Sequence, residues 1–160
     1  MRKITPLFLA LCLIGCNLNK RQPAVVQLAD APDFIADSSY SFIEKQLSFG
    51  PRVPGSSGHE SCGDFLATRM TEFGFSVEQQ FDTVIGFDNK SLPLRNIICA
   101  LNPSENDRIL LCAHWDSRPF TDQDSFDMKD SLVGANDNAS GVAVLLEIAR
   151  NLGLKNPGTG

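Results

Sequence analysis

The run Arg108-Ile109-Leu110-Leu111-Cys112-Ala113 is almost unbroken in its apolarity, and it ends in His114-Trp115-Asp116-Ser117. A short apolar run of this kind reads as a strand covered on both faces, which is the habit of strands inside an α/β sheet. Side chains two apart on a strand share a face, so His114 and Asp116 are expected to project the same way from its carboxyl end. Open parallel α/β sheets bind their ligands just beyond such ends. Farther on, Gly134-Ala135-Asn136-Asp137-Asn138-Ala139-Ser140-Gly141 forms a turn, and Val142, Leu145, Leu146, Ala149 and Leu152 then recur at helical spacing, with Gly153 placed to end the helix.

The residue types at these places suit a metal. Imidazole and carboxylate oxygen are both good ligands for zinc, and His114, Asp116 and Asp137 would gather at the mouth of one sheet. Asp137 and Asn138 lie at or just before the helix start, where backbone N–H groups and the dipole favour an ionised carboxylate. Plainer readings exist for each feature alone. A His beside an apolar strand is often a packed residue, and an Asp before a helix is often only its N-cap. Found in order on strand, loop and helix, they point together to a metal or active site.

The rest of the chain supplies a scaffold. Tyr40, Ile43, Glu44 and Leu47 mark a short helix beginning after Ser38 or Ser39; Cys62, Phe65, Leu66, Met70 and Phe73 mark a clearer one, closed by Gly74. His59 falls in the first turn of that second helix, a weak candidate for a ligand. Phe75, Val77 and Phe81 alternate as a half-buried strand does, residues 96–101 form another strand, and Asn102-Pro103-Ser104-Glu105-Asn106-Asp107 is a turn. The expected fold class is α/β, a mixed, mostly parallel sheet flanked by helices. Glu147, the one acid after Asp137, is expected on the solvent side of its helix.

The amino terminus has a separate logic. Arg2 and Lys3 precede an apolar run over residues 4–14, the layout of a secretory signal and too short to span a membrane. Leu13-Ile14-Gly15-Cys16 resembles the lipobox of bacterial lipoproteins, in which Cys16 would be acylated and tether the chain to a membrane. An ordinary cleaved signal or an uncleaved anchor are the alternatives. The expected organisation is a lipoprotein signal peptide over 1–15, a flexible tether over 16–37 and an enzyme-like domain over 38–160, placed in the bacterial cell envelope, facing the periplasm or the surface. Loss of Arg2 and Lys3 would take the net charge from −5 to −7, and an acidic chain without a basic cluster argues against a nucleic-acid partner.

Cys62, Cys99 and Cys112 remain after the signal and the lipid site are set aside. Each sits in an apolar stretch and is expected as a buried free thiol, although Cys99 and Cys112, on neighbouring strands, are a candidate pair. No CxxC spacing supports a structural zinc site. The loop over residues 118–131 carries Asp122, Asp124, Asp127 and Asp130 but lacks the ligand order of a calcium loop, so it reads as a solvated acidic lid. Trp115, Phe120 and Phe126 either wall a substrate pocket or pack that lid.

Four blocks resemble the zinc aminopeptidase and glutaminyl cyclase superfamily, the cyclase branch more closely: Phe49-Gly50-Pro51-Arg52-Val53-Pro54-Gly55-Ser56, Arg95-Asn96-Ile97-Ile98-Cys99-Ala100-Leu101-Asn102-Pro103, residues 109–117 and residues 134–150. The resemblance covers roughly residues 38–153 and implies the fold of that superfamily, incomplete at the carboxyl terminus. It implies that Asp137 coordinates zinc in either branch and bridges two ions in two-metal aminopeptidases. His114 matches a ligand of the two-metal enzymes, while in single-zinc cyclases its counterpart is not usually one. Asp116 is similar to the carboxylate that orients the neighbouring His. The family's other ligands and its general base would lie beyond Gly160.

The activity this implies is zinc-dependent cyclisation of an N-terminal glutamine of a peptide substrate to pyroglutamate, with one or two zinc ions in the full-length enzyme. Removal of N-terminal residues by a zinc aminopeptidase is the alternative. A third reading is a lipid-anchored fragment without catalysis, and the 160-residue chain by itself is expected to turn over negligibly.

Overall fold

Helix α1 spans Ala36–Leu47, with Asp37 in its first turn and Lys45 in its last, both suited to the helix dipole. Helix α2 spans Ser57–Glu72 and is capped by the Ser56 hydroxyl, which accepts the His59 N–H at 3.1 Å. It ends where the sequence places the stop. Gly74 takes a left-handed φ of 89°, and the Gly74 and Phe75 amides bond back to Thr71 and Met70. Strands β1, Ser76–Ile85, and β2, Ser91–Ala100, follow as an antiparallel hairpin in register from Ser76 opposite Ala100 to Ile85 opposite Ser91. Helix α3, Gly141–Lys155, comes after a wide turn at Ala135–Ser140. These elements belong to a computed structural model that describes residues 31–86, 88–121, 131–156 and 158. The leader, Cys16 and most of the tether lie outside the described residues, as do Asp122, Asp124, Phe126, Asp127 and Asp130. Among the described residues no helix is long and apolar enough to cross a membrane.

The core forms where α2 meets α3. Cys62 and Leu66 from one helix and Val142 and Leu146 from the other are buried together, and Phe42, Phe49, Phe65, Met70, Phe73 and Ile97 close around them. Burial of a side chain such as Leu146 contributes about 1.5–3 kcal/mol. Gly153 departs from its expected role. The helix continues past it to Lys155 and is capped by Asn156 at a φ of 38°, while a methyl group at 153 would overlap the Phe73 carbonyl oxygen. This glycine permits α3 to approach the end of α2.

Two expectations about the sheet need correction. The described residues form a two-stranded antiparallel sheet, without the mostly parallel arrangement expected. The apolar run at 109–113 is extended but joins no ladder, because no described strand lies at either of its edges; Leu110 is 89 % exposed. Between β2 and residues 108–115 lies an apolar groove of about 550 Å³, floored by Leu66, Met70, Val142 and Leu146. Phe81 also lies outside the core, at 68 % exposure, with the Arg95 guanidinium 5.3 Å from its ring centroid. The hairpin outruns the helices that would cover it.

Of the thiols, Cys62 is buried and free, and burial pushes its pKa up to about 11. Cys99 is half-buried and free. Cys112 is free but exposed, since the strand that was to bury it has no neighbours.

Glu147 is the clearest reversal. It is fully buried, and its carboxylate accepts hydrogen bonds from Arg150 Nε and Nη2 at 2.8 and 2.7 Å, Ser38 Oγ at 2.7 Å and the Ile35 amide at 3.0 Å. It thereby fastens the start of α1 to α3. The pairing with Arg150 is local, but the apolar stripe gives no warning of the burial, because Ser38 and Ile35 lie over a hundred residues upstream. Hydrogen bonding from Arg150, then from Ser38 and Ile35, outweighs burial and holds its pKa down to about 2, against an ordinary 4.5.

A folded-state pKa depressed in this way contributes stability above the ordinary value and loses it as pH falls through about 4.5 toward 2. Urea unfolding is expected to show that acid loss in the native protein. Glu147→Gln should cost about 2–3 kcal/mol at pH 7 and flatten the dependence between pH 5 and about 2.5. In the same assay Gly153→Ala is expected to destabilise, although the same change in an open helix would gain about 1 kcal/mol.

Candidate functional site

Residues 114–117 leave the extended segment, and the wide turn at Ala135–Ser140 approaches them from the amino end of α3. His114 Nε2 lies 2.9 Å from Asp137 Oδ1. The expected meeting of these two side chains is therefore present. Both remain about half exposed or more, His114 at 53 % and Asp137 at 66 %, so the pair opens to solvent.

Asp116 lies on the other side of the ring. His114 Nδ1 is 3.3 Å from the Asp116 carbonyl oxygen and 3.4 Å from its Oδ1. Both contacts are long; the shorter Nε2 contact to the Asp137 carboxylate needs a proton between the two atoms, while the acceptors at Nδ1 are placed to take the ring proton should a cation replace it at Nε2. His114 thus has Nε2 toward Asp137 and Nδ1 toward Asp116.

The turn's geometry frees Asp137 for this contact. Asp137 and Asn138 have non-helical backbones (φ −114°, ψ 90° and φ −135°, ψ 36°). The Asn138 side chain accepts the Gly141 N–H at 3.1 Å, so Asn138 rather than Asp137 caps the helix. Gly134 has a φ of 63°, and a Cβ there would come within 2.6 Å of the Asp137 carbonyl oxygen and 3.0 Å of Arg52 Nη2. Only glycine fits this crossing.

Beneath the pair are residues that the sequence leaves unassigned or barely weighs. Arg52 is fully buried, and it donates from Nε to the Trp115 carbonyl at 2.9 Å, from Nη1 to Val133 at 2.7 Å and from Nη2 to Gly134 at 2.9 Å. Its backbone exchanges two bonds with buried Ser117, the Arg52 amide donating to Oγ at 2.8 Å and the Ser117 amide to the Arg52 carbonyl at 3.1 Å. His59 is buried and stacks on Trp115 with centroids 4.0 Å apart and planes 17° from parallel. Burial lowers the His59 pKa, with Asp116 opposing. His59 packs the indole and makes no ligand contact with the pair. Trp115 is partly buried, packing against the core on one side and lining the apolar groove, and Phe120 is half exposed.

The arrangement fits a divalent ion in part. Two donors on a tetrahedral zinc, each about 2.0–2.2 Å from it, lie about 3.3 Å apart, so a 2.9 Å contact needs only a small parting of the side chains. A catalytic zinc takes three protein ligands, and among the described residues no group of three His, Cys, Asp or Glu side chains could hold an ion. His114 and Asp137 are the two donors this part of the chain brings together.

The model of Peptidase family M28 matches residues 96–159. The structure is similar to a Zn-dependent exopeptidase from Parabacteroides distasonis, at 46 % identity and a TM-score of 0.79, covering 81 % of this chain and 45 % of that one. It is similar to the same degree, 42 % identity and a TM-score of 0.79, to the glutaminyl cyclase of Bacteroides thetaiotaomicron bound to N-acetylhistamine, covering 81 % and 45 % of the two chains. The glutaminyl-peptide cyclotransferase of Gloydius blomhoffii is 35 % identical over 106 residues, which are 63 % of this chain and 27 % of that protein. The chain spans less than half the length of these relatives. Over most of its length the chain is thus similar to zinc-dependent exopeptidases and glutaminyl cyclases, which are enzymes, and the Peptidase family M28 model matches its carboxyl-terminal stretch.

Proposed function

We propose that this chain is the amino-terminal part of a zinc-dependent glutaminyl-peptide cyclotransferase, which closes an N-terminal glutamine of a peptide to pyroglutamate with release of ammonia. The observation that carries the reading is the 2.9 Å approach of His114 Nε2 and Asp137 Oδ1 from two separate loops. Its support is the identity shared with solved bacterial glutaminyl cyclases. Asp137 would hold zinc, His114 would stand beside it, and Asp116 would fix the ring of His114. Zinc when bound supplies Lewis acidity to the carbonyl under attack. The chain's own part is positional: Gly134 admits the turn, Asn138 caps α3 in place of Asp137, and the indole of Trp115, beside His114 in sequence, stacks on His59.

An aminopeptidase reading has a specific observation in its favour. His114 lies within direct reach of Asp137, where a second ion shared by the two would sit, and similar structures include a leucine aminopeptidase precursor from Bacteroides thetaiotaomicron. The readings differ in the number of ions, one or two, and in the attacking group, the peptide's own amine or water. We place the protein in the bacterial cell envelope, tethered through an acylated Cys16, on the strength of the charged-then-apolar leader and Leu13-Ile14-Gly15-Cys16.

The test is zinc content by mass spectrometry together with assays on glutaminyl peptides and on aminoacyl amides, using the complete polypeptide that carries this sequence. One zinc per chain, cyclisation, and a loss of about 100-fold or more in Asp137→Asn with little change in His114→Ala are expected. Two zinc ions, one of them lost in His114→Ala, with hydrolysis of aminoacyl amides, would establish the aminopeptidase instead. Absence of zinc and of both activities would overturn either enzyme.

A further inference from the structure

Arg52 belongs to no metal-ligand set, yet its side chain touches both loops of the candidate site. Its guanidinium is fully buried, and among the described residues it makes no ion pair; its charge is met by the carbonyl dipoles of Trp115, Val133 and Gly134 at 2.7–2.9 Å. Trp115 lies between His114 and Asp116. Gly134 opens the turn that carries Asp137, and its carbonyl also receives the Ala139 amide at 3.1 Å, directly after the Asp137-Asn138 pair. The Ser117 contacts hold the Arg52 backbone itself in place.

We propose that Arg52 is a positioning residue for the site: its planar fork ties the loop of His114 to the loop of Asp137 and so sets the separation at which the two side chains meet. The inference rests on the reading of Asp137 as a zinc ligand above, and the effect on zinc comes through the turn that carries Asp137, which the Val133 and Gly134 carbonyls anchor to Arg52. Buried cations are costly, and a core that needed only volume at this position would be served by an apolar side chain. Three carbonyls on two loops require donors at fixed angles, which the guanidinium has and an ammonium lacks. The fork acts through the backbone and comes into contact with neither donor. Loosening it would let the loops separate while the side chains of His114 and Asp137 stayed chemically unaltered.

The decisive substitution is Arg52→Lys, which keeps the charge and loses the fork. In the complete polypeptide, zinc affinity by chelator competition and the visible spectrum of the cobalt-substituted protein are measured beside the thermal midpoint of the metal-free form. A weakening of zinc binding of about 10–100-fold is expected, with an altered cobalt spectrum, in a protein that still folds. Ser117→Ala, a milder change to the same clamp, should weaken zinc binding by about 2–10-fold, the worth of one hydrogen bond, and it provides the readout if the lysine variant does not fold. Asp137→Asn separates the two ideas. If it leaves zinc affinity unchanged, the zinc reading fails and takes the clamp with it; if it abolishes binding while folded Arg52→Lys or Ser117→Ala keeps native affinity and spectrum, the clamp alone is wrong.

Discussion

A guanidinium removed from water must have its hydrogen-bonding directions filled, and in this chain the fillers are backbone carbonyls from two loops far apart in sequence. That requirement organises the site end of the molecule. Because the carbonyls of residues 115, 133 and 134 converge on one group, the segment bearing His114 and the turn bearing Asp137 share a common floor. Gly134 is glycine because the crossing leaves no room for Cβ, and Ser117 is buried because it completes the backbone exchange with Arg52. The exposed pair above is thus held by buried polar contacts below, in keeping with a binding group carried on loops and supported by a rigid base.

Much of the scaffold is legible in the sequence because its signals are local. Helical spacing finds α2 and α3, and the Phe73-Gly74 junction ends α2 through a left-handed glycine. The convergence of His114 and Asp137 follows from strand and helix-start reasoning even though the strand itself is not formed among the described residues. Contacts across sequence are where such reading fails. Glu147 looks like a solvent-side acid on its own helix, yet Ser38 and the Ile35 amide turn it into a buried acceptor. Gly153 looks like a stop, yet the neighbouring helix end makes it a point of close approach. Arg52 lies in a Gly- and Pro-rich loop with no periodicity, and nothing local distinguishes an arginine that clamps carbonyls from one that faces water. His59 is recognisable as a first-turn residue, but its stacking on Trp115 depends on a segment over fifty residues away.

The apolar run at 109–113 shows the same division in another form. Its composition asks for cover on both faces and both edges, and the helices supply one face through Leu66, Met70, Val142 and Leu146. Both hydrogen-bonding edges and the other face are without a described neighbour, so the run lies extended along an apolar groove opposite β2. The segment is strand-like by sequence and extended by structure. What separates those two descriptions is pairing, a property of neighbours.

The two halves of the candidate site differ in how far they are constrained. His114 has acceptors of Asp116 near Nδ1, and the segment that carries it is held by the packing of its neighbour Trp115 on His59. Asp137 is fixed through its backbone, by the Gly134 crossing and by the cap that Asn138 provides, while its carboxylate is left largely exposed. The two side chains are thus placed by different means, the imidazole through its segment's packing and the carboxylate through the backbone of its turn, and their 2.9 Å contact is what joins the two loops above the Arg52 floor.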